Sequence, residues 1–445
     1  MASSFAGSAT MARPRPKPAS IYGQVSDGLI RKYYFRLLLL VAPIQSILLT
    51  PIQGSTPAFL LVLGSLVFLF GADRRYARIL AFTAGFLLLY AIYMTFSLSA
   101  LMIDEPDLSR LQVIRDISIY GNLRQSHITQ GLYLFVALLF TYMIYTYYQE
   151  AFLKYAYYGI LLLAAYGMYE FIFYAILHKN VDFLSNRNFG DLKDASGGAG
   201  EGDFATGSMV QPSNIFGSGF MRLKSLVGEP SMYALTVTPF AVYAFARRWW
   251  VLFAILTLTL VLSTSSTAIL GLAVGIGYIE VRQRQEFILY IGAALVVFLL
   301  LYFTAAPIQE AVDKLLFQKL DSVSGNERWS SFTNHAGVIF DGNFIRAFFG
   351  LGFGTVRSTD MLSNLLANIG IVGFLLYSML MLAPCVLIKR APDREAIIAT
   401  LLAIFFMEML TVSEYAYLPP WFMVALGYAR VREQRLALPA PFRKA

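Results

Sequence analysis

The stretch from Phe287 to Phe303 is apolar throughout and carries neither a charge nor a proline, and Phe35 to Ile44 and Phe59 to Phe70 are further long apolar runs. A buried core strand needs only roughly 4–8 such residues, whereas about 20 residues at ~1.5 Å rise match a ~30 Å hydrocarbon layer. Recurrence of the pattern along the chain predicts many membrane helices. The charge content agrees: 14% of the 445 residues are charged and 57% hydrophobic, against about 25% charged in a soluble domain. The expected fold is all-α and polytopic, with about 12 transmembrane helices.

Cys385 is the single cysteine and the histidines are His127, His178 and His335, so neither a disulfide framework nor a multi-cysteine metal site can be built, and little is left for zinc or haem. No metal and no cofactor is expected. The N-terminus, with Arg13, Arg15 and Lys17 alternating with prolines, lacks an apolar segment and a cleavage pattern. It reads as a disordered tail over 1–33 rather than a signal peptide.

Basic residues fix an orientation. Predicted spans are 34–51, 57–72, 79–102, 129–147, 154–177, 229–246, 249–263, 266–281, 286–305, 362–388, 396–413 and 418–429, followed by a cytoplasmic tail over 430–445. With the N-terminus inside, 22 of the 35 basic residues fall on the cytoplasmic tails and short connections, including Arg74, Arg75, Arg247, Arg248, Lys389 and Arg390. Both termini are then cytoplasmic. The net charge of +8 becomes a topological signature, and no nucleic-acid partner is implied. Two inner basic pairs flank Trp249 to Tyr278, so that stretch is expected to form a tight helical hairpin whose hydroxyls at Ser263–Thr267 satisfy the turn.

The two long polar loops, about 178–228 and 306–361, and a smaller one at 104–128 lie on the outer face, where chemistry is expected. The first long loop includes a glycine-rich segment, Ala195–Gly202, which reads as lid or linker. Arg222, Lys224, Arg328, Arg346 and Arg357 sit in these loops against the orientation rule. Guanidinium groups there suit a lipid phosphate or pyrophosphate, although single members could serve as interface anchors or ion-pair partners. Glu229, followed by Pro230, opens the sixth span, where a capping role competes with orientation of an acceptor hydroxyl. Gly350-Leu-Gly-Phe-Gly354 forms a glycine-rich turn ahead of Arg357, Asp360, Asn364 and Asn368. Glu170 and Glu408 lie within apolar spans, where interhelical hydrogen bonding is the favoured reading.

Read in order, three stretches resemble the O-antigen polymerase and O-antigen ligase superfamily of bacterial surface-polysaccharide assembly, the Wzy-type and WaaL-type membrane proteins. They are Arg222 to Ser231, similar to an Arg-x-x-Gly-x-x-x-Glu-Pro pattern with Ser225 in place of glycine; Leu262 to Gly271, similar to a serine-rich hairpin with Ser266 in place of a frequent arginine; and Asn326 to Gly373, with the arginine loop, the glycine turn and the helix after it. The family's ligases carry a His-Asn pair ahead of that helix; the matching positions are Thr359 and Asp360, so the ligase histidine is missing.

The resemblance implies a GT-C-like membrane glycosyltransferase of the bacterial inner membrane. Its reaction would be metal-independent, inverting transfer at the outer leaflet, polymerising undecaprenyl-pyrophosphate-linked repeat units into O-antigen or exopolysaccharide. Arg222, Lys224, Arg328, Arg346 and Arg357 would bind the pyrophosphate, and Asp360, Glu229 or His335 would take the acceptor proton. A chain-length regulator and a flippase become candidate partners beside the lipid bilayer. Ligation to lipid A core or protein is the alternative within the family. From another class stands a polytopic transporter, although no repeat between the halves is seen, and non-catalytic scaffolding is a third reading.

Overall fold

The computed structural model describes residues 21–52, 54–68, 74–104, 106–114, 118–187, 212–213, 220–284, 286–304, 309 and 323–437. The expected tail up to residue 20, the segment Ala195–Gly202 and residues 438–445 lie outside them. The described residues are mostly helical: α1 (Ile21–Val41), α2 (Pro57–Phe68), α3 (Arg74–Ile103), α4 (Gln125–Tyr147), α5 (Ala151–Leu177), α6 (Pro230–Ala246), α7 (Trp250–Ser263), α8 (Ser266–Gln283), α9 (Phe287–Thr304), α10 (Val323–Gly337), α11 (Phe344–Phe349), α12 (Met361–Leu387), α13 (Arg394–Thr411) and α14 (Leu418–Ala437). Two short antiparallel pairs, Ser118–Tyr120 with Leu123–Arg124 and Pro212–Ser213 with Phe220–Met221, decorate the loops.

Among the described residues, four helices are long and apolar enough to cross a membrane: Tyr76–Ile103 within α3, α4, α5 and α12. The 30 residues of α3 extend about 45 Å at ~1.5 Å per residue, beyond a ~30 Å hydrocarbon layer. Leu87, Leu88, Leu89 and Ile92 on α3 are exposed. An outward face of this kind suits lipid rather than water. The architecture is compatible with an all-α membrane protein.

The core is centred on α6, whose buried side chains include Tyr233, Phe240 and Tyr243. On it pack α7, α8 and α13; α14 packs against α4 and α12, α5 against α1, and α10 and α11 against α12. Close approach of α8 relies on two glycines one turn apart: a Cβ on Gly271 would lie 2.8 Å from Thr238, and one on Gly275 2.5 Å from Val242.

Several sequence boundaries shift. The first helix begins at Ile21, inside the stretch expected as tail, and ends at Val41 rather than residue 51. Pro43 explains the ending, since it cannot donate to the helix and disfavours helical backbone at Ala42. The presumed hairpin also opens out: α7 and α8 each pack along α6 rather than along one another. Within the expected loop 306–361, α10 and α11 are helical. Finally, α14 runs on to Ala437 because Arg430 is buried among Glu150, Asp393 and Glu433. This end of the bundle, with Arg247, Arg390 and Arg430, is the basic end; the loops bearing Arg222 and Arg357 lie at the opposite, loop end.

Candidate active site

From Arg222 to Glu229 the chain crosses the loop end in a single pass. The Arg222 guanidinium Nε donates to the carbonyl of Ser263 at 3.2 Å and to Thr264 Oγ1 at 3.0 Å, while Leu223 N donates to Leu262 O. Arg222 therefore caps the C-terminus of α7, where carbonyls lack helical partners and a cation is favoured. Ser263 Oγ donates to Leu260 O, as expected of the turn hydroxyls.

Two residues on, Lys224 is fully buried, with Nζ 2.8 Å from Glu170 and 3.0 Å from Asp182. For Asp182, burial opposes the charged form, but Lys224 and the hydrogen bonds from Ser185 outweigh it and hold the carboxyl below its usual range. Lys224, expected as a pyrophosphate ligand, is in this arrangement a framework residue. Glu170 and Glu408 likewise act between helices: Glu170 pairs with Lys224, and Tyr377 donates to Glu408 at 2.8 Å.

The glycine turn is fixed by α12. All three glycines have positive φ, with Gly350 at 73°, and a Cβ on Gly350 would sit 2.4 Å from the Asn368 carbonyl carbon. Asn368 Oδ1 accepts from Thr355 N at 2.9 Å and Val356 N at 3.0 Å, and its Nδ2 donates to Val356 O. Helix α12 breaks at Gly370, whose φ of 61° lets it pass against Phe348. The function of this clamp is to fix where the chain leaves the turn, at the exposed Arg357.

Other expected site residues belong to that scaffold. Asp360 is the N-cap of α12, its two oxygens accepting from Ser363 N and Ser363 Oγ at 2.8 Å each. His335 is buried; its Nδ1 faces Ser331 O at 2.5 Å and its Nε2 accepts from Gln112 N at 3.4 Å, which makes Nδ1 the protonated nitrogen. Burial pushes its pKa down. Arg346 is buried and paired with Asp104 at the end of α3. With their polar atoms engaged, Asp360 and His335 are poorly placed to act as bases; Arg346 is held by Asp104 in the scaffold, while its buried Nε has no hydrogen-bond partner among the described residues. The side chain of Arg328, on α10, lies outside the described residues.

What the loop end does bring together is centred on Glu414, in the short connection between α13 and α14. Burial is the main force raising its pKa; Arg187 and Arg357 pull it back and Glu229 pushes it further up, so these groups share its field. Arg187 and Glu229 also act on Tyr417, and Arg187 and Arg357 on Tyr133. Glu229 stands at the N-cap position of α6 without a side-chain capping bond, and accepts instead from Ser231 Oγ at 2.5 Å. The Glu414 loop is anchored around its rim: Tyr415 OH donates to Gln130, Tyr417 OH to Val227 O, Trp421 Nε1 to Tyr415 O, and the Phe353 ring lies 5.0 Å from that of Tyr415.

Of the residues expected from sequence, Glu229 and Arg357 thus both act on the Glu414 carboxyl, while Arg222 borders the same end through the 222–229 pass. Glu414 and Arg187 were not anticipated. An acid between tyrosines in a short connection, Ser413-Glu-Tyr-Ala-Tyr417, was the available signal for the first; Arg187 had none beyond its outer-loop position. Two guanidinium groups and two carboxylates in a tyrosine-lined setting can hold an anion and move a proton beside it. No family model matches the chain, and no curated protein matches it.

Proposed function

We propose that the chain is an outer-leaflet membrane glycosyltransferase that polymerises undecaprenyl-pyrophosphate-linked repeat units, with the loop end facing the periplasm and the basic end the cytoplasm of a bacterial inner membrane, spanned about twelve times. The observation that carries the proposal is the Glu414 carboxyl in the α13–α14 connection, which feels the charges of Arg187, Arg357 and Glu229. Arginines stabilise charge as it develops on the departing pyrophosphate. Glu414, pushed up by burial, is tuned towards accepting the proton of the attacking hydroxyl. Residues 222–373 add the motif order that resembles the polymerase and ligase superfamily.

Missing the ligase histidine, the chain is read as a polymerase whose acceptor is a second lipid-linked repeat unit. Arg357→Ala or Glu414→Gln is expected to lower polymerisation by about 10²-fold or more, so that single repeat units accumulate on the lipid carrier while the protein still inserts. Long polymer at normal levels in both variants sinks the reading. Purified protein given lipid-linked repeat units alone should yield a ladder; reaction only when a lipid A core acceptor is added means a ligase instead.

A further inference from the structure

At the basic end, α1 and α5 enclose an open groove of about 780 Å³ lined by Tyr33, Arg36, Leu37, Leu40, Tyr155 and Tyr158. The two helices pack tightly at Gly159, where a Cβ would lie 2.7 Å from the Leu40 carbonyl oxygen. The groove opens within one turn of that contact, on the outside of the bundle: Leu37 is 50% and Tyr33 58% exposed.

Its walls are apolar and aromatic, but its rim is cationic. The Arg36 guanidinium carbon sits 4.8 Å from the Tyr155 ring centre and 5.4 Å from that of Tyr33, and Lys154 Nζ lies 5.4 Å from the Tyr158 ring. No carboxylate pairs with either cation among the described residues, and Arg36 Nε is buried without a hydrogen-bond partner there. Elsewhere at the same end, Arg430 and Arg394 have their carboxylates. A buried guanidinium donor left open is costly unless something accepts from it.

We propose that this groove binds one anionic diacyl phospholipid, such as phosphatidylglycerol. The headgroup phosphate accepts from Arg36 and Lys154, and an acyl chain lies along Leu37 and Leu40 between the tyrosines. Charge complementarity selects the headgroup, since basic residues at a membrane surface attract anionic lipid. Position selects the lipid over a free ion: tyrosines and snorkelling cations mark the headgroup level, and the apolar walls would gain nothing from inorganic phosphate. The site is remote from Glu414 and does not depend on the glycosyl-transfer reading.

The test uses the full-length protein in neutral detergent, titrated with phosphatidylglycerol or phosphatidylcholine and read by native mass spectrometry. The wild type is expected to retain phosphatidylglycerol preferentially. Arg36→Gln with Lys154→Gln should weaken that binding roughly 30-fold, from about 1 kcal/mol per basic residue at ~1.4 kcal/mol per decade. Leu37→Trp with Leu40→Trp fills the groove while keeping both charges, and should also lose the lipid. Equal retention of the two lipids by the wild type, undiminished binding in either double variant, or displacement of the lipid by millimolar inorganic phosphate overturns the proposal.

Discussion

Replacing Lys224 with methionine keeps most of the stem and removes only the charge. The ammonium is fully buried, 2.8 Å from Glu170 and 3.0 Å from Asp182. A unit-charge pair at such separations attracts by about 6 kcal/mol at an effective dielectric near 20, and desolvation of the groups cancels much of it. Deleting one partner of a buried set costs about 3–5 kcal/mol, because the remaining charges stay desolvated. The folded-to-unfolded ratio of Lys224→Met should therefore drop by roughly 10²–10³ or more. The pH dependence makes the test sharper. In the wild type the Asp182 carboxyl is held below its usual range, so its stabilisation is complete above the unfolded value near 4 and is lost as pH falls through that region. Without the cation, burial raises the Asp182 carboxyl instead; the variant gains relative stability in acid and loses it as pH rises through the raised folded-state value. Fluorescence-detected size-exclusion midpoints of detergent-solubilised protein, measured across pH, read both effects. Lys224→Met combined with Glu170→Gln should recover part of the loss, as expected for groups that couple. A single variant as heat-resistant as the wild type at neutral pH, or one that still weakens on acidification, refutes the buried triad.

The clamp on the glycine turn gives a second expectation: Gly350→Ala forces a side chain onto φ 73° and into the Asn368 backbone, and Asn368→Ala removes the hydrogen bonds to Thr355 and Val356. Each should cost about 1–3 kcal/mol in unfolding assays and lower activity by displacing Arg357; variants with wild-type midpoints and activity contradict the clamp. A third concerns Glu414. Because burial lifts its carboxyl above the ordinary range, activity that needs the ionised form should fall on acidification at a pH higher than about 4.3, and Glu414→Gln should flatten that limb in a pH–rate profile. An unchanged acid limb in the variant assigns it to another group.

Apolar runs and prolines were readable in the sequence because hydrocarbon burial and proline geometry act locally: α3, α4, α5 and α12 lie where hydropathy put them, and Pro43 in retrospect ends α1. The opened hairpin was not, since hydropathy reports that α7 and α8 are buried in something apolar but not that the something is α6. Cations show the same limit. A basic residue in an outer loop is equally consistent with a ligand and with a structural pair, and the difference lies in acids far along the chain: Asp104 for Arg346, Glu170 and Asp182 for Lys224. Asp360 was a closer case, because Ser363 three residues on already fits a helix N-terminus.

Among the described residues, Asp104, Glu170 and Asp182 pair with the scaffold cations Arg346 and Lys224. The charges that act on Glu414 are then Arg187, Arg357 and Glu229, and with Glu414 itself the cluster is near neutral when both acids are ionised. On the proposed reaction, a pyrophosphate donor adds negative charge and raises Glu414 further, which strengthens it as a base at the moment the donor arrives. As the sugar is transferred, the leaving pyrophosphate gains a negative charge while Glu414 loses one by accepting the hydroxyl proton. The total charge facing Arg187 and Arg357 is then the same before and after transfer. A fixed pair of arginines can therefore serve both donor and product without rearrangement, which is what preorganised stabilisation of a developing anion requires.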